Sequence, residues 1–354
     1  MTNKDIEQLV RPNIRALLPY STARDEYQGE IGIFLDANES PYDTGYNRYP
    51  DPHQKALKAR LSEIKGVPVS QIFIGNGSDE AIDLVFRVFC RPGVDSIVAI
   101  DPSYGMYKVC ADINDIALKE VALNEDFSLP VERLLEACDA NTKLIFICSP
   151  NNPSGNSFPA EKIEELLKNF NGIVVLDEAY NDFSCQKSFR FRLDEFPNLI
   201  ILQTLSKAYG MASLRLGIAY ASEYIIRLMS MVKYPYNING ATQRIVMDIL
   251  KQDISERVAI IVKERDSLIK LLENYTFIKK VYPSDSNFIL VKTDDADALY
   301  SYLLEAGIIV RNRTKATLCG NCVRITVGLP EENKKLIESL SQYESKYEKG
   351  VICR

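Results

Sequence analysis

Three short stretches carry side chains that could do chemistry together. They are Asn151-Asn152-Pro153, Asp177-Glu178-Ala179-Tyr180 and Ser206-Lys207, the last followed by Arg215-Leu216-Gly217. A lysine amine condenses with a carbonyl, and burial or neighbouring cations keep part of it neutral near pH 7. Lys207 therefore becomes useful if a carbonyl cofactor sits beside it, with Arg215 holding an anionic group through its planar fork. Each stretch also has a plain reading: a loop lysine, a surface arginine at a strand start, an aspartate capping a helix, an Asn-Pro turn. What argues for chemistry is their joint occurrence, which depends on the elements that present them.

Those elements alternate. SIVAI, IALKEVAL, KLIFICS, GIVVLDEAY and LIILQT read as apolar strands, with helical patterns from about Tyr104, around Val131 to Ala137 and over 160–170 between them. Nearly uniform apolar strands separated by helices predict an α/β fold, a mainly parallel sheet covered by helices on both faces. Ligands of such sheets gather beyond the carboxyl ends of the strands. The amide, the carboxylate with its phenol, and the amine all follow strand ends. IFIGNGSDEAIDLVFRVF adds a strand, the turn Gly75-Asn76-Gly77 and a helix opening at Ser78. Its N-terminus suits a phosphate, although Ser78, Asp79 and Glu80 are also what a plain helix start uses.

The flanking regions are expected to differ. Residues 1–40 read as an arm with a short helix and a strand-like IGIFLDANE, packing on the small domain and a partner subunit. Residues 41–238 would form the large domain, beginning with a tyrosine-rich loop and a helix from Pro52 to Gly66. Residues 239–354 would form a smaller α+β domain, with helical patterns over 240–273, 295–306 and 331–347 and strands near 276–282, 288–292, IIVRN and CVRITVG.

Bulk properties exclude several classes. The chain has 354 residues, 46% hydrophobic and 25% charged, with a net charge of -6, which argues against a nucleic-acid partner. No apolar run reaches the length of a bilayer span, and MTNKDIEQLV is too polar for a secretory signal, so a cytoplasmic location is expected. Eight scattered cysteines then read as reduced thiols. Cys319 and Cys322 have metal-knuckle spacing but no second cysteine pair, so no metal site is assigned. The single histidine, His53, leaves little room for a Ser-His-Asp or Cys-His hydrolase.

NPSG, then D-x-A-Y, then S-K followed by R-L-G resembles the fold type I pyridoxal-phosphate enzymes, the aspartate aminotransferase superfamily. NIRALLPYSTAR, DANESPY, NRYPDP, GNGSDEAID, PSYGMYKV, TLSKAYGMASLRLG and CVRITVG narrow the resemblance to the histidinol-phosphate aminotransferase family. The resemblance implies transamination of histidinol phosphate with 2-oxoglutarate, giving imidazole acetol phosphate and glutamate, by a pyridoxal 5'-phosphate enzyme of histidine biosynthesis. Lys207 would bond the cofactor and act as general base and acid; Asp177 would keep its pyridine nitrogen protonated. Tyr180 and Asn152 would hydrogen-bond the ring oxygen, and Tyr104 would stack on the ring. Gly77, Ser78, Thr204, Ser206 and Arg215 would hold its phosphate. Tyr49 would reach the phosphate of a neighbouring subunit, which implies a homodimer with shared active sites. Tyr20, Arg311 and Arg324 would bind substrate, the two arginines favouring a dianionic phosphate.

Two other classes fit parts of the pattern. An aromatic amino-acid aminotransferase or a threonine-phosphate decarboxylase would use the same scaffold with a different substrate pose. A non-enzymatic sensor module would have little use for Lys207, Asp177 and Tyr180 together.

Overall fold

A computed structural model describes residues 2–22 and 32–348. Two sheets organise them. The larger contains β1 (Ile72–Asn76), β2 (Ser96–Asp101), β3 (Ala117–Ala122), β4 (Thr142–Cys148), β5 (Ile173–Asp177), β6 (Leu199–Thr204) and β7 (Leu216–Ala221), in the order β1-β7-β6-β5-β4-β2-β3. Strands β6, β5, β4, β2 and β3 run parallel, and β7 is antiparallel to both β6 and β1. This is the architecture expected from the sequence, an α/β sheet between helical layers with a smaller α+β unit.

Alternation along the central strands explains both layers. Leu144, Phe146, Ile173, Val175, Ile200 and Leu202 enter one core, whereas Ile145, Ile147, Val174, Leu176, Leu199 and Ile201 enter the other. A sheet apolar on both faces needs helices on both. The helix Gly77–Phe89 covers the first with Ala81, Ile82, Val85 and Phe86, and the helix Ala160–Asn169 covers the second with Ile163, Leu166 and Leu167. Each large aliphatic side chain so buried contributes roughly 1.5–3 kcal/mol.

The smaller sheet contains β8 (Ile278–Val281), β9 (Phe288–Thr293), β10 (Arg311–Asn312) and β11 (Cys322–Thr326), antiparallel in the order β10-β11-β9-β8. Helices Ser255–Leu272, Ala296–Glu305 and Pro330–Glu348 contribute to a third core with it. It docks where β4 ends. Asp285 N–H donates to the Gly155 carbonyl at 2.8 Å, and Ser157 N–H donates to the Asp285 carboxylate at 3.0 Å.

The arm departs from expectation in two ways. Its start packs on the large unit rather than the small one: Ile6 and Ile14, from two short helices, and Val10, from the extended turn between them, enter the core shared with Val88 and Phe89. Arg11 N–H also donates to the Val88 carbonyl at 3.0 Å. The described part of IGIFLDANE, from residue 32, forms no strand, and Ile33 and Leu35 are 91% and 88% exposed. An alternating pattern makes a strand only where another strand can pair with it. Residues 23–31, which include the rest of that stretch, lie outside the described residues.

Candidate active site

Asp177 ends β5, one residue before the chain leaves the sheet, and it is 3% exposed. Two donors hold it: Tyr107 O–H to Oδ2 at 2.8 Å and Ala179 N–H to Oδ1 at 3.0 Å. Burial still dominates and pushes the carboxyl up to about 6, with Asp79 and Glu178 adding repulsion. Its neighbour Glu178 is differently treated, accepting from Ser188 O–H, from Phe189 N–H at 2.9 Å and from Gln203 Nε2 at 3.0 Å. Glu178 is thereby tied to the scaffold, whereas Asp177 faces a cavity of about 150 Å³.

That cavity gathers most of the residues singled out from the sequence. Ser78, Tyr104, Asn152, Asp177, Tyr180, Thr204, Ser206, Lys207 and Arg215 all line it. At one end is the helix Gly77–Phe89, whose first-turn N–H groups lack intrahelical acceptors. Gly77 has φ +75°, and its own N–H donates to the Arg215 carbonyl at 2.8 Å, so the donors for an anion begin at Ser78. Gly217 allows β7 to pass against this turn, because a Cβ there would lie 2.1 Å from Ser78 N. Ser206 N–H donates to the Thr204 hydroxyl at 3.1 Å, which brings both hydroxyls to the same end. Arg215 pairs with Asp79 at 3.2 Å, and Asp79 accepts from Tyr104 O–H at 3.0 Å. A helix N-terminus, two hydroxyls and an arginine form the donor set a phosphate monoester needs.

Lys207 follows β6, its turn closed by Gly210 N–H to the Lys207 carbonyl at 3.1 Å and Met211 N–H to the Leu205 carbonyl at 3.0 Å. Its ammonium lies 5.7 Å from the Tyr180 ring centroid. Burial lowers its pKa first, and Arg324 and Arg215 lower it further, against an opposing pull from Asp177 and Asp79. Desolvation and two cations are what leave a lysine amine unprotonated, free to act as nucleophile and proton acceptor. Burial likewise raises the Tyr180 phenol above its ordinary range, so it stays a hydrogen-bond donor.

Asn152 is fixed by its buried neighbour. Asn151 Nδ2 donates to the Pro102 carbonyl at 3.0 Å and to Ser154 Oγ at 2.8 Å, tying the loop after β4 to that after β2. From the small sheet, Arg324 Nη1 donates to Asn152 Oδ1 while its guanidinium lies 5.0 Å from the Phe288 ring centroid. Phe288 in turn packs edge-on against Tyr180 at 5.1 Å. With Oδ1 engaged, the Asn152 amide NH2 is the half left to donate.

Three expected residues lie elsewhere. Tyr20 is 76% exposed, and Arg311 lines a separate cavity of about 510 Å³ with Arg313, Asp297, Tyr300 and Lys315. Tyr49 stacks on Tyr236 at 4.4 Å at another surface cavity, with Arg48 and Arg244. Conversely, Tyr107, Asp79, Cys148 and Arg313 were not singled out from the sequence as site residues. Tyr107 lies one helical turn from Tyr104 in PSYGMYKV, and Arg313 repeats Arg311 at strand spacing, so both had a signal. Cys319 and Cys322 are buried, and no group of three or more metal-ligating side chains occurs among the described residues. No helix among them is long and apolar enough to cross a membrane.

The family model for aminotransferases of class I and II matches residues 35–340. The chain is 52% identical over 344 residues to histidinol-phosphate aminotransferase of Bacteroides fragilis strain YCH46, covering 96% of this chain and 100% of that one. Among solved structures it resembles histidinol-phosphate aminotransferase from Clostridium acetobutylicum, with a TM-score of 0.78, 25% identity, and coverage of 85% of this chain and 92% of that one. The enzyme of that name from Sinorhizobium meliloti, in complex with pyridoxal-5'-phosphate, has the same fold, with a TM-score of 0.77, 22% identity, and coverage of 85% and 84%.

Proposed function

The chain belongs to the histidinol-phosphate aminotransferases, a branch of the class I and II aminotransferases, and from that premise we propose that Lys207 is the group that bonds the cofactor and moves the proton. The reaction is transamination between histidinol phosphate and 2-oxoglutarate, dependent on pyridoxal 5'-phosphate. What carries the assignment is one observation: a lysine with a lowered pKa and a buried, donor-held carboxylate share one cavity with an anion cradle.

The donor set suits the cofactor. Ser78, Thr204, Ser206 and Arg215 would hold its phosphate, with Gly77 supplying the backbone turn, and Asp177 would pair with its ring nitrogen. Tyr180 and Asn152 would donate to the ring oxygen, and Tyr104, oriented through Asp79, would cover the ring face. Bound there, the cofactor supplies a carbonyl for the amine and a cationic ring that withdraws electrons from the adjacent carbon. Lys207 would take the proton from the substrate carbon and return it, a task for which its lowered pKa fits it. Arg324 and Arg311 are assigned to the substrate anion, and Tyr20 to substrate contact once the arm is covered.

We further infer a homodimer. Leu18, Ile33, Leu35 and Tyr42 are 80–91% exposed, which a second copy would bury, and half-exposed Tyr49 is assigned to the cofactor phosphate of that copy. Residues 41–238 and 239–354 are taken as the large and small domains. A cytoplasmic location agrees with seven free thiols among the described residues.

The test mixes holoenzyme separately with histidinol phosphate, phenylalanine and threonine phosphate and follows the cofactor's absorbance. Rapid conversion by histidinol phosphate, and its loss in Lys207→Ala, is the expected result. Turnover retained by Lys207→Ala, or reaction with phenylalanine alone, overturns it.

A further inference from the structure

Arg313 is a third guanidinium at this site, and its position follows from strand geometry. Side chains two apart on an extended strand share a face, which puts Arg313 with Arg311. The register Arg311↔Arg324 puts Arg324 on that face too, and Arg313 N–H continues the ladder by donating to the Cys322 carbonyl at 2.8 Å. From there Arg313 Nη2 reaches Asn152 Oδ1 at 3.4 Å, the same atom that Arg324 Nη1 bonds. Both Arg311 and Arg313 line the neighbouring cavity of about 510 Å³, but Arg311 is exposed and Arg313 half-buried.

Two cations thus converge on one neutral amide oxygen. Neither Arg313 nor Arg324 takes part in an ion pair among the described residues, unlike Arg215 with Asp79. The Nε atoms of Arg313 and Arg324 are both buried without a hydrogen-bond partner. Burial lowers the pKa of each, and Arg313 repels Arg324. Unneutralised charge and unspent donors are costly unless an anion with several acceptor oxygens relieves them. A carboxylate satisfies one guanidinium fork, whereas a phosphate monoester has oxygens for two.

We propose that Arg313 is a ligand of the substrate phosphate and that, with Arg324, it sets the preference for a phosphorylated amine over one bearing a carboxylate, Arg311 standing at the rim. This rests on the reading of the site as one for histidinol phosphate. A purely structural Arg313, bracing Asn152, would affect every substrate alike. The two roles therefore separate by substrate.

The experiment compares wild-type, Arg313→Gln, Arg313→Lys and Arg311→Gln holoenzymes. It reads the half-reactions with histidinol phosphate and with glutamate, and the binding of inorganic phosphate by calorimetry. Arg313→Gln should lower kcat/KM for histidinol phosphate by about 10- to 100-fold, chiefly through KM, and that for glutamate by no more than about threefold. Phosphate binding should weaken by about tenfold or more, and Arg313→Lys should recover only part of it. Arg311→Gln should do less on both counts. Equal losses with both substrates, unaltered phosphate binding, or a larger effect from Arg311→Gln overturns the proposal. Should wild-type enzyme not react with histidinol phosphate, the reading of the site fails instead, and phosphate binding still decides whether Arg313 is an anion ligand.

Discussion

Asp177→Asn should gain stability relative to wild type as pH rises in the cofactor-free protein, while weakening its hold on the cofactor. The Asp177 carboxyl is pushed from 3.8 up to about 6, mainly by burial. A carboxyl whose folded pKa exceeds its unfolded value imposes no penalty below the unfolded pKa. The penalty grows as pH rises towards the folded one and is constant above it. Roughly two pKa units at about 1.4 kcal/mol each give a penalty on the order of 3 kcal/mol, developing between about pH 4 and about pH 6. Asparagine cannot ionise, so the variant escapes it. The substitution has its own fixed cost, since the amide presents one NH2 group towards donors that served two oxygens, but that cost does not vary with pH. The assay is urea unfolding of both apoproteins across that range. The stability of Asp177→Asn relative to wild type should rise by about 3 kcal/mol as pH increases through the window. With cofactor present the order should reverse near neutrality, because a cationic ring nitrogen favours the ionised carboxylate only in the wild type. A pH-independent difference between the apoproteins would refute the reasoning.

Two further substitutions probe the same cavity. Tyr107→Phe removes the 2.8 Å donor to Asp177 Oδ2, a bond to a charged group worth about 1.5–3 kcal/mol, so Asp177 should be harder to ionise. The acid limb of cofactor affinity should move up by about one pH unit or more, and an unmoved limb in a pH titration of cofactor binding would show that Ala179 N–H suffices. Gly217→Ala places a methyl 2.1 Å from Ser78 N, forcing β7 or the helix start to shift. It should cost several kcal/mol and lower the cofactor content of purified protein, whereas Gly105→Ala, with nothing within 4 Å of its Cβ, should do neither. Equal cofactor content in the two would count against the cradle.

Most of the α/β core was legible because its signals are local. Apolar runs such as LIILQT and GIVVLD are strands whatever surrounds them, and LIILQT coincides with β6, Leu199–Thr204. The polar residues that follow them lie at carboxyl ends by topology, which is why Asn152, Asp177 and Lys207 line one cavity. The sequence was a poorer guide where a residue's role depends on a partner distant in the chain. IGIFLDANE has a strand's alternation without a strand to pair with. Asp79 reads as a helix-start acid, and its links to Tyr104 and Arg215 arise only when the loops after β2 and β6 meet the helix Gly77–Phe89. Arg311 and Arg313 are indistinguishable in VRNRT. Only the docking of the small sheet against the loop after β4 puts Arg313, rather than Arg311, in reach of Asn152.

The charges of the cavity explain why such a site is stable only in part. Burial first, then Arg324 and Arg215, disfavours the protonated form of Lys207, and burial first, then Asp79 and Glu178, disfavours the ionised form of Asp177. Each end therefore carries an excess of one sign: guanidiniums facing the small sheet, a buried carboxylate at the end of β5. A scaffold chosen for stability alone would pair these groups directly, as Glu178 is paired with its three donors. Holding Asp177 with only two neutral donors, and leaving Lys207 without a carboxylate partner among the described residues, keeps Lys207 a proton acceptor and Asp177 an acceptor for a cation, and it shifts part of the folding free energy onto ligands of opposite charge. On this argument each anionic or cationic group that binds should raise stability more than its contact area alone provides, and the arginines and Asp177 are where that excess originates.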